Sequence, residues 1–297
     1  DFGITKIFYW EIFRRKSKLN DINITPVHIN NIYSSLHQIL MIPSPERKPM
    51  TSFVLSISII ISVSVHLPAY SQNNRLNTKE TIGWYNLFTT TKLTGKFSLH
   101  AEYQWRREKI ISNWQQSLLR VGLNYQPNAR VLVRVGYAWI ETFPYGEIPI
   151  NGLGRDFTEH RIYEMVQLSH KEGIVDLSHR FMLEQRFVGR YSSAGIAKED
   201  EFPLLNRLRY MIRLQAPLAG KTMKDKTPYI AAYDEIFIGF GKNVTANVFD
   251  QNRISALLGY RFNQKLRIEA GYLNQIVQFG RLVNGKHVFQ YNNGIII

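Results

Sequence analysis

Lys96-Phe-Ser-Leu-His-Ala-Glu-Tyr-Gln-Trp-Arg106 places Phe97, Leu99, Ala101, Tyr103 and Trp105 at every second position, with Lys96, Ser98, His100, Glu102, Gln104 and Arg106 between them. In an extended chain successive side chains point to opposite faces, so this stretch is a strand with one apolar and one polar side. The grammar recurs over residues 130–140, where Val131, Val133, Val135, Tyr137 and Trp139 oppose Arg130, Leu132, Arg134, Gly136 and Ala138. It returns around residues 119–125, 175–183, 204–214, 254–262, 266–272 and 289–291. Tight turns are expected at Thr94-Gly95, Pro127-Asn128, Glu172-Gly173 and Asn263-Gln264. Longer links are expected at 108–113, 142–157, 188–203, 241–250 and 280–286.

A water-soluble barrel or sandwich buries its apolar faces and needs strands of only about 5–6 residues. A transmembrane barrel turns them outward, needs about 9–11 residues per tilted strand, and alternates short turns with long loops. Two details favour the second. Aromatics end several apolar faces (Trp105, Tyr125, Trp139, Tyr260, Tyr272), as an interfacial girdle would, and the opposite faces are rich in arginine. The expectation is an all-β, antiparallel up-and-down transmembrane barrel of ten to twelve strands. Twelve is favoured, with an added strand near 73–80 or one lost from the carboxyl end restoring even parity. If the short turns face the periplasm, a first strand at 81–92 runs downward although the chain enters from the periplasm.

The 297 residues contain no cysteine, which excludes disulfides, thiolate metal sites and a cysteine nucleophile. Aromatic residues make up 13%, in keeping with strands. The +14 formal charge leaves +11 beyond residue 71 (30 Lys+Arg against 19 Asp+Glu), which could suggest nucleic acid, but alternation places much of it on inner faces, and no nucleic-acid partner is expected.

The amino-terminal part reads as a processing segment. Residues 1–40 show neither periodicity and are taken as upstream, non-native or disordered sequence. From Met41, a basic pair (Arg47, Lys48), an apolar run from Phe53 to Leu67 and the small-residue exit Ala69-Tyr70-Ser71 form a secretory signal peptide over 41–71. The run is short of the roughly 20 residues a spanning helix needs. Residues 72–297 then form the barrel domain, exported to the outer membrane of a Gram-negative bacterium, with outer-membrane lipid and lipopolysaccharide as surroundings.

From Trp84 onward the chain resembles a family of outer-membrane barrels from Bacteroidetes-type bacteria, domain of unknown function 2490. The resemblance rests on Leu99-His-Ala-Glu-Tyr103, on Glu184-Gln-Arg-Phe187 preceded by Arg180, on Tyr233-Asp-Glu-Ile-Phe237, on Asp250-Gln-Asn-Arg253 and on Gly271-Tyr-Leu-Asn-Gln275. It covers most of the chain beyond residue 72. It implies fold and location, and supplies no activity and no catalytic residues.

Strand phase turns Arg106, Arg120, Arg130, Arg134, Arg180, Arg186, Arg207, Arg209, Arg213, Arg253, Arg261 and Arg267 inward, against the carboxylates Glu102, Asp176, Glu184 and Glu269. The lumen and ligand candidates are Glu102, Arg106, Arg134, Arg180, Glu184, Arg186, Arg207, Arg209, Arg213 and Arg253. Such a lumen either fills a narrow barrel with guanidinium–carboxylate pairs or attracts small anionic solutes. Arg180, Arg186, Arg207, Arg209 and Arg213 could all gather about Glu184 across one hairpin. Asp234-Glu235 cannot both face inward, so a bulge or a rim position is expected there. The expected function is non-enzymatic, structural or a narrow conduit. The alternative is a lipid hydrolase, for which His160, His170, His179 and His287 are available and His179 has Ser169 and Ser178 nearby. No serine elbow accompanies them, and no paired histidine spacing suggests a metal or other cofactor. The sequon Asn243-Val-Thr245 has no consequence without eukaryotic secretion.

Overall fold

The alternating stretches form eleven strands in a computed structural model that describes residues 74–297. The expected leader and signal peptide, 1–40 and 41–71, lie outside the described residues. In chain order the strands are β1 (Arg75–Lys92), β2 (Phe97–Glu108), β3 (Asn113–Asn128), β4 (Val131–Thr142), β5 (Phe157–Glu172) and β6 (Val175–Val188). They continue as β7 (Leu204–Pro217), β8 (Thr227–Phe240), β9 (Phe249–Arg261), β10 (Arg267–Val283) and β11 (Lys286–Ile296). Each pairs antiparallel with the next, and β1 closes on β11 to make a barrel. Eleven falls inside the expected ten to twelve.

Hairpins reverse direction at every step, so the first and eleventh strands point the same way and the seam is parallel, from Arg75↔His287 to Trp84↔Ile296. Residues 75–80 extend β1 across this seam instead of forming a strand of their own. β1 therefore starts at the long-loop rim and runs toward the short turns. One rung can be followed around the wall through Ser98, Asn124, Arg134, Met165, Met182, Arg209, Phe237, Gln251, Val277, Gln290 and Thr78. It begins beside a short turn and ends near the long-loop rim. The strands are thus strongly tilted, as barrel closure requires.

The long links lie at one rim, with two exceptions. Residues 280–286, expected as a loop, are the end of β10 and a two-residue turn. Asn284 (φ 50°) and Gly285 (φ 71°) both adopt the left-handed conformation that a tight primed hairpin needs. Conversely, the β7–β8 link at the short-turn rim spans 218–226.

The faces are inverted relative to a water-soluble protein. Leu99, Val121, Leu123, Val135, Tyr137, Trp139, Ile162, Phe181, Leu208, Ile254 and Leu258 are exposed on the outer wall, while arginines and glutamates are buried inside. Small contacts shape the wall. The Tyr163 ring lies over Gly136, where an added Cβ would come within 2.6 Å of the hydroxyl, and that hydroxyl donates to Val121 O at 3.3 Å. At the β2–β3 bulge beside Arg106, Gln115 turns inward and accepts from Trp84 Nε1 at 2.7 Å.

Candidate functional site

At mid-height the interior is filled by a branched network of ion pairs. Glu184, 0% exposed, accepts from Arg207 Nε at 2.8 Å and from Arg209 Nη1 at 2.7 Å, both from the next strand. Arg207 continues to Asp250 at 2.5 Å and Arg209 to Glu235 at 2.7 Å. Glu235 also takes Arg180 at 2.8 Å. On the other side Glu159 takes Arg161 at 2.5 Å and Arg186 at 2.6 Å, and Glu102 takes Arg120 at 2.9 Å. Aromatic rings fill the space between guanidinium groups. Arg207, Arg209 and Arg253 stack on Phe237 at 5.0, 4.5 and 4.5 Å, while Arg106 and Arg253 lie over Trp84 at 3.8 and 4.8 Å. Cation–π contact and bidentate pairing replace the water each guanidinium gave up.

The candidate residues Glu102, Arg106, Arg134, Arg180, Glu184, Arg186, Arg207, Arg209, Arg213 and Arg253 all face this interior, as do Arg120, Arg161, Glu159 and Glu235. Arg130 does not: it occupies the exposed β3–β4 turn, because β3 runs on to Asn128. Nor do five arginines gather about Glu184. Arg207 and Arg209 bind it directly, with Arg161 and Arg120 at 3.6 and 3.9 Å. Arg186 is drawn to Glu159, Arg180 to Glu235 and Arg213 to Glu269. Asp234-Glu235 needs no bulge and no rim position. The register is regular there, Glu235 points in, and Asp234 points out to accept from Asn252 at 2.6 Å.

Sequence reasoning missed Arg161, Glu159, Glu235 and Asp250. The first two alternate with Ile162, Val166 and Leu168 along β5, but outward Glu164 and inward Met165 blur that pattern. Asp250 sits next to the bulge in β9, where phase cannot be extrapolated.

The β4–β5 loop, residues 143–156, folds across the long-loop mouth. Tyr145 donates to Gln290 Oε1 at 2.7 Å and accepts from Asn292 at 3.1 Å. The amides of Gly146 and Glu147 donate to Glu108 and Glu80 at 3.1 and 2.8 Å, and Arg281 donates to Pro149 O at 2.6 Å. Ile148 and Ile150 pack on Val277, Phe279 and Val288. Desolvation of the Tyr145 hydroxyl pushes its pKa up to about 12. The β6–β7 loop is tied to the same cap: Thr158 N donates to Glu199 and Arg155 to the Ile196 and Ala197 carbonyls. Within that loop, Ser192 donates to Asp200 and lowers the carboxyl's pKa.

The residues considered for hydrolysis do not meet. Ser169 and Ser178 pair across β5–β6 on the inner face, whereas His179 faces out, bonded to Tyr210 OH at 2.8 Å and stacked on His170. No group of three or more potential metal ligands occurs among the described residues.

Fold and interior together define a class: a closed, single-chain β-barrel with an apolar exterior and an arginine–carboxylate core. Within that class, the chain matches the family described as protein of unknown function DUF2490 over residues 81–282, and it belongs to that family. No curated protein and no solved structure matches it.

Proposed function

We propose that this chain is a non-enzymatic outer-membrane β-barrel of a Gram-negative bacterium whose lumen is closed, a structural barrel and not a conduit. The observation that carries the reading is the inversion itself. An outer wall of exposed Leu, Val, Ile and aromatic side chains is an aggregation surface in water and a solvated one in lipid. Inside, Glu184, Glu159, Glu235 and seven-tenths or more of each neighbouring arginine are enclosed, which supports a lumen filled by the ion-pair layer. The signal-like segment 41–71 supports export, and outer-membrane lipid and lipopolysaccharide are the surroundings that such a wall would meet. A hydrolase reading would need a serine on the same face as His179, and Ser169 and Ser178 face the other way.

Cell fractionation and electrophoresis test this. The protein should appear in the outer-membrane fraction and migrate faster unheated than boiled. In planar bilayers it should give no steady conductance. A soluble periplasmic monomer would overturn the location, and stable anion-selective channels would overturn the closed lumen.

A further inference from the structure

Toward the short-turn rim the interior changes character. Arg134 on β4, Arg180 on β6 and Arg213 on β7 all point inward. From the rung Arg134↔Met165↔Met182↔Arg209, Arg180 lies two residues and Arg213 four residues nearer the short turns. That rung climbs toward the other rim as it passes from β4 to β7. The stepwise descent therefore offsets the climb and brings the three backbone positions to similar heights. Unlike the core arginines they are open to solvent, Arg180 and Arg213 at 23% and 18% of their side-chain surface.

Their charge is poorly compensated. Arg134 has only the Asn124 side-chain oxygen, at 2.6 Å. Arg180 shares Glu235 with Arg209, which reaches the same oxygen through two nitrogens. Arg213 holds Glu269 at 2.6 Å, and Tyr229 donates to that same carboxylate oxygen at 2.7 Å. Among and next to these arginines, Arg180 Nε and Arg120 Nε are buried with no hydrogen-bond partner, and Arg120 is only 5% exposed. Arg134 lies within electrostatic range of Arg120, Glu102 and Arg180, and Arg180 within range of Glu102. Buried donors left unbonded are costly unless a ligand or water satisfies them.

From this geometry we infer that the short-turn vestibule is a binding site for a phosphate group. The guanidinium groups of Arg134, Arg180 and Arg213 have only Glu269 and a share of Glu235 as direct carboxylate partners. A tetrahedral phosphate offers more acceptor oxygens and more charge, and guanidinium forks bind it bidentately. Low-dielectric walls closed at the far end by the ion-pair layer strengthen the attraction. The inference rests on the closed-barrel reading for the blind end of the vestibule, but not on membrane location. The phosphate could belong to a soluble ion or ester, or to a phospholipid headgroup entering from the rim.

The test is thermal unfolding of the purified full-length protein in maltoside detergent, read by heat-modifiable migration. Sodium phosphate is compared with sodium chloride at matched ionic strength, and dihexanoyl phosphatidic acid with dihexanoyl glycerol. Ligand that binds only the folded state raises the unfolding temperature. The expected result is a rise specific to phosphate, with apparent affinity at least tenfold weaker in Arg134→Gln, which loses one charge-assisted donor. Arg134→Gln should keep its fold, since Arg134 makes no ion pair. Arg130→Gln, in the exposed β3–β4 turn at the same rim, should respond like the parent. A response to inorganic phosphate assigns a soluble phosphate; a response confined to phosphatidic acid assigns a lipid headgroup. No phosphate-specific rise, or an equal rise in Arg134→Gln, overturns the inference. In either failure, unchanged heat-modifiability and absence of conductance would leave the closed-barrel reading standing.

Discussion

Replacing Glu184 by Gln keeps the volume of the most enclosed carboxylate and removes its charge. Two arginines contact it directly, at 2.6 and 2.7 Å, and both are nearly inaccessible to solvent. Breaking a buried ion pair by removing one partner costs about 3–5 kcal/mol. Here the lower end applies, because Arg207 keeps Asp250 and Arg209 keeps Glu235. The new amide adds its own conflict. Its nitrogen can only donate, and it would face a guanidinium that also only donates. A loss of about 3 kcal/mol in a chain of this size lowers the unfolding temperature by about 6–12 °C. The assay is the temperature at which the compact form converts to the slow-migrating form, compared with Glu269→Gln. Glu269 is about one-fifth exposed and pairs with one arginine, so its loss should cost less than that of Glu184. If Glu184→Gln unfolds at the parental temperature, the core arginines are already solvated and the filled-lumen argument fails. Water-filled passage would then be the better description.

Two further outcomes follow from the wall and from the cap. Val135→Arg, on the outward face near the middle of β4, should impair assembly by about 2–4 kcal/mol, the cost of a charge at a barrel's lipid midplane, whereas Arg134→Val one residue away should assemble. Equal behaviour of the two in a vesicle folding assay would contradict the face assignment. Tyr145, with its pKa raised from 10.0 to about 12, stabilises the folded loop fully below about pH 10, and that contribution is lost as pH rises through 12. A phenolate absorbance titration should show a late-ionising step whose amplitude falls by one tyrosine in Tyr145→Phe. That variant loses two hydrogen bonds and about 1–2 kcal/mol of loop anchoring. An unchanged late step in Tyr145→Phe would show that the loop does not seal its hydroxyl.

Residue alternation alone was enough to identify the barrel, its inverted faces and nearly every inward arginine, because side-chain direction along a strand is a local property of the backbone. Lys96 to Arg106 needs no other part of the chain to declare which face is wet. The sequence could not say where alternation slips. Bulges at Arg106/Arg107 and Phe237/Ile238 reset the phase, and they bring Gln115 and Asp250 into the interior unannounced. Nor could it choose partners. Arg186 and Arg207 lie on adjacent strands and both flank Glu184 in register, yet Arg186 pairs mainly with Glu159, on the other side of its own strand. The cross-strand register decides that, by setting Glu159 diagonally opposite Arg186 on the adjacent strand. Strand tilt brings the backbone positions of Arg134, Arg180 and Arg213 to similar heights, and the odd strand number makes the seam parallel. Both are properties of the closed wall, and closure exists only once β1 has met β11.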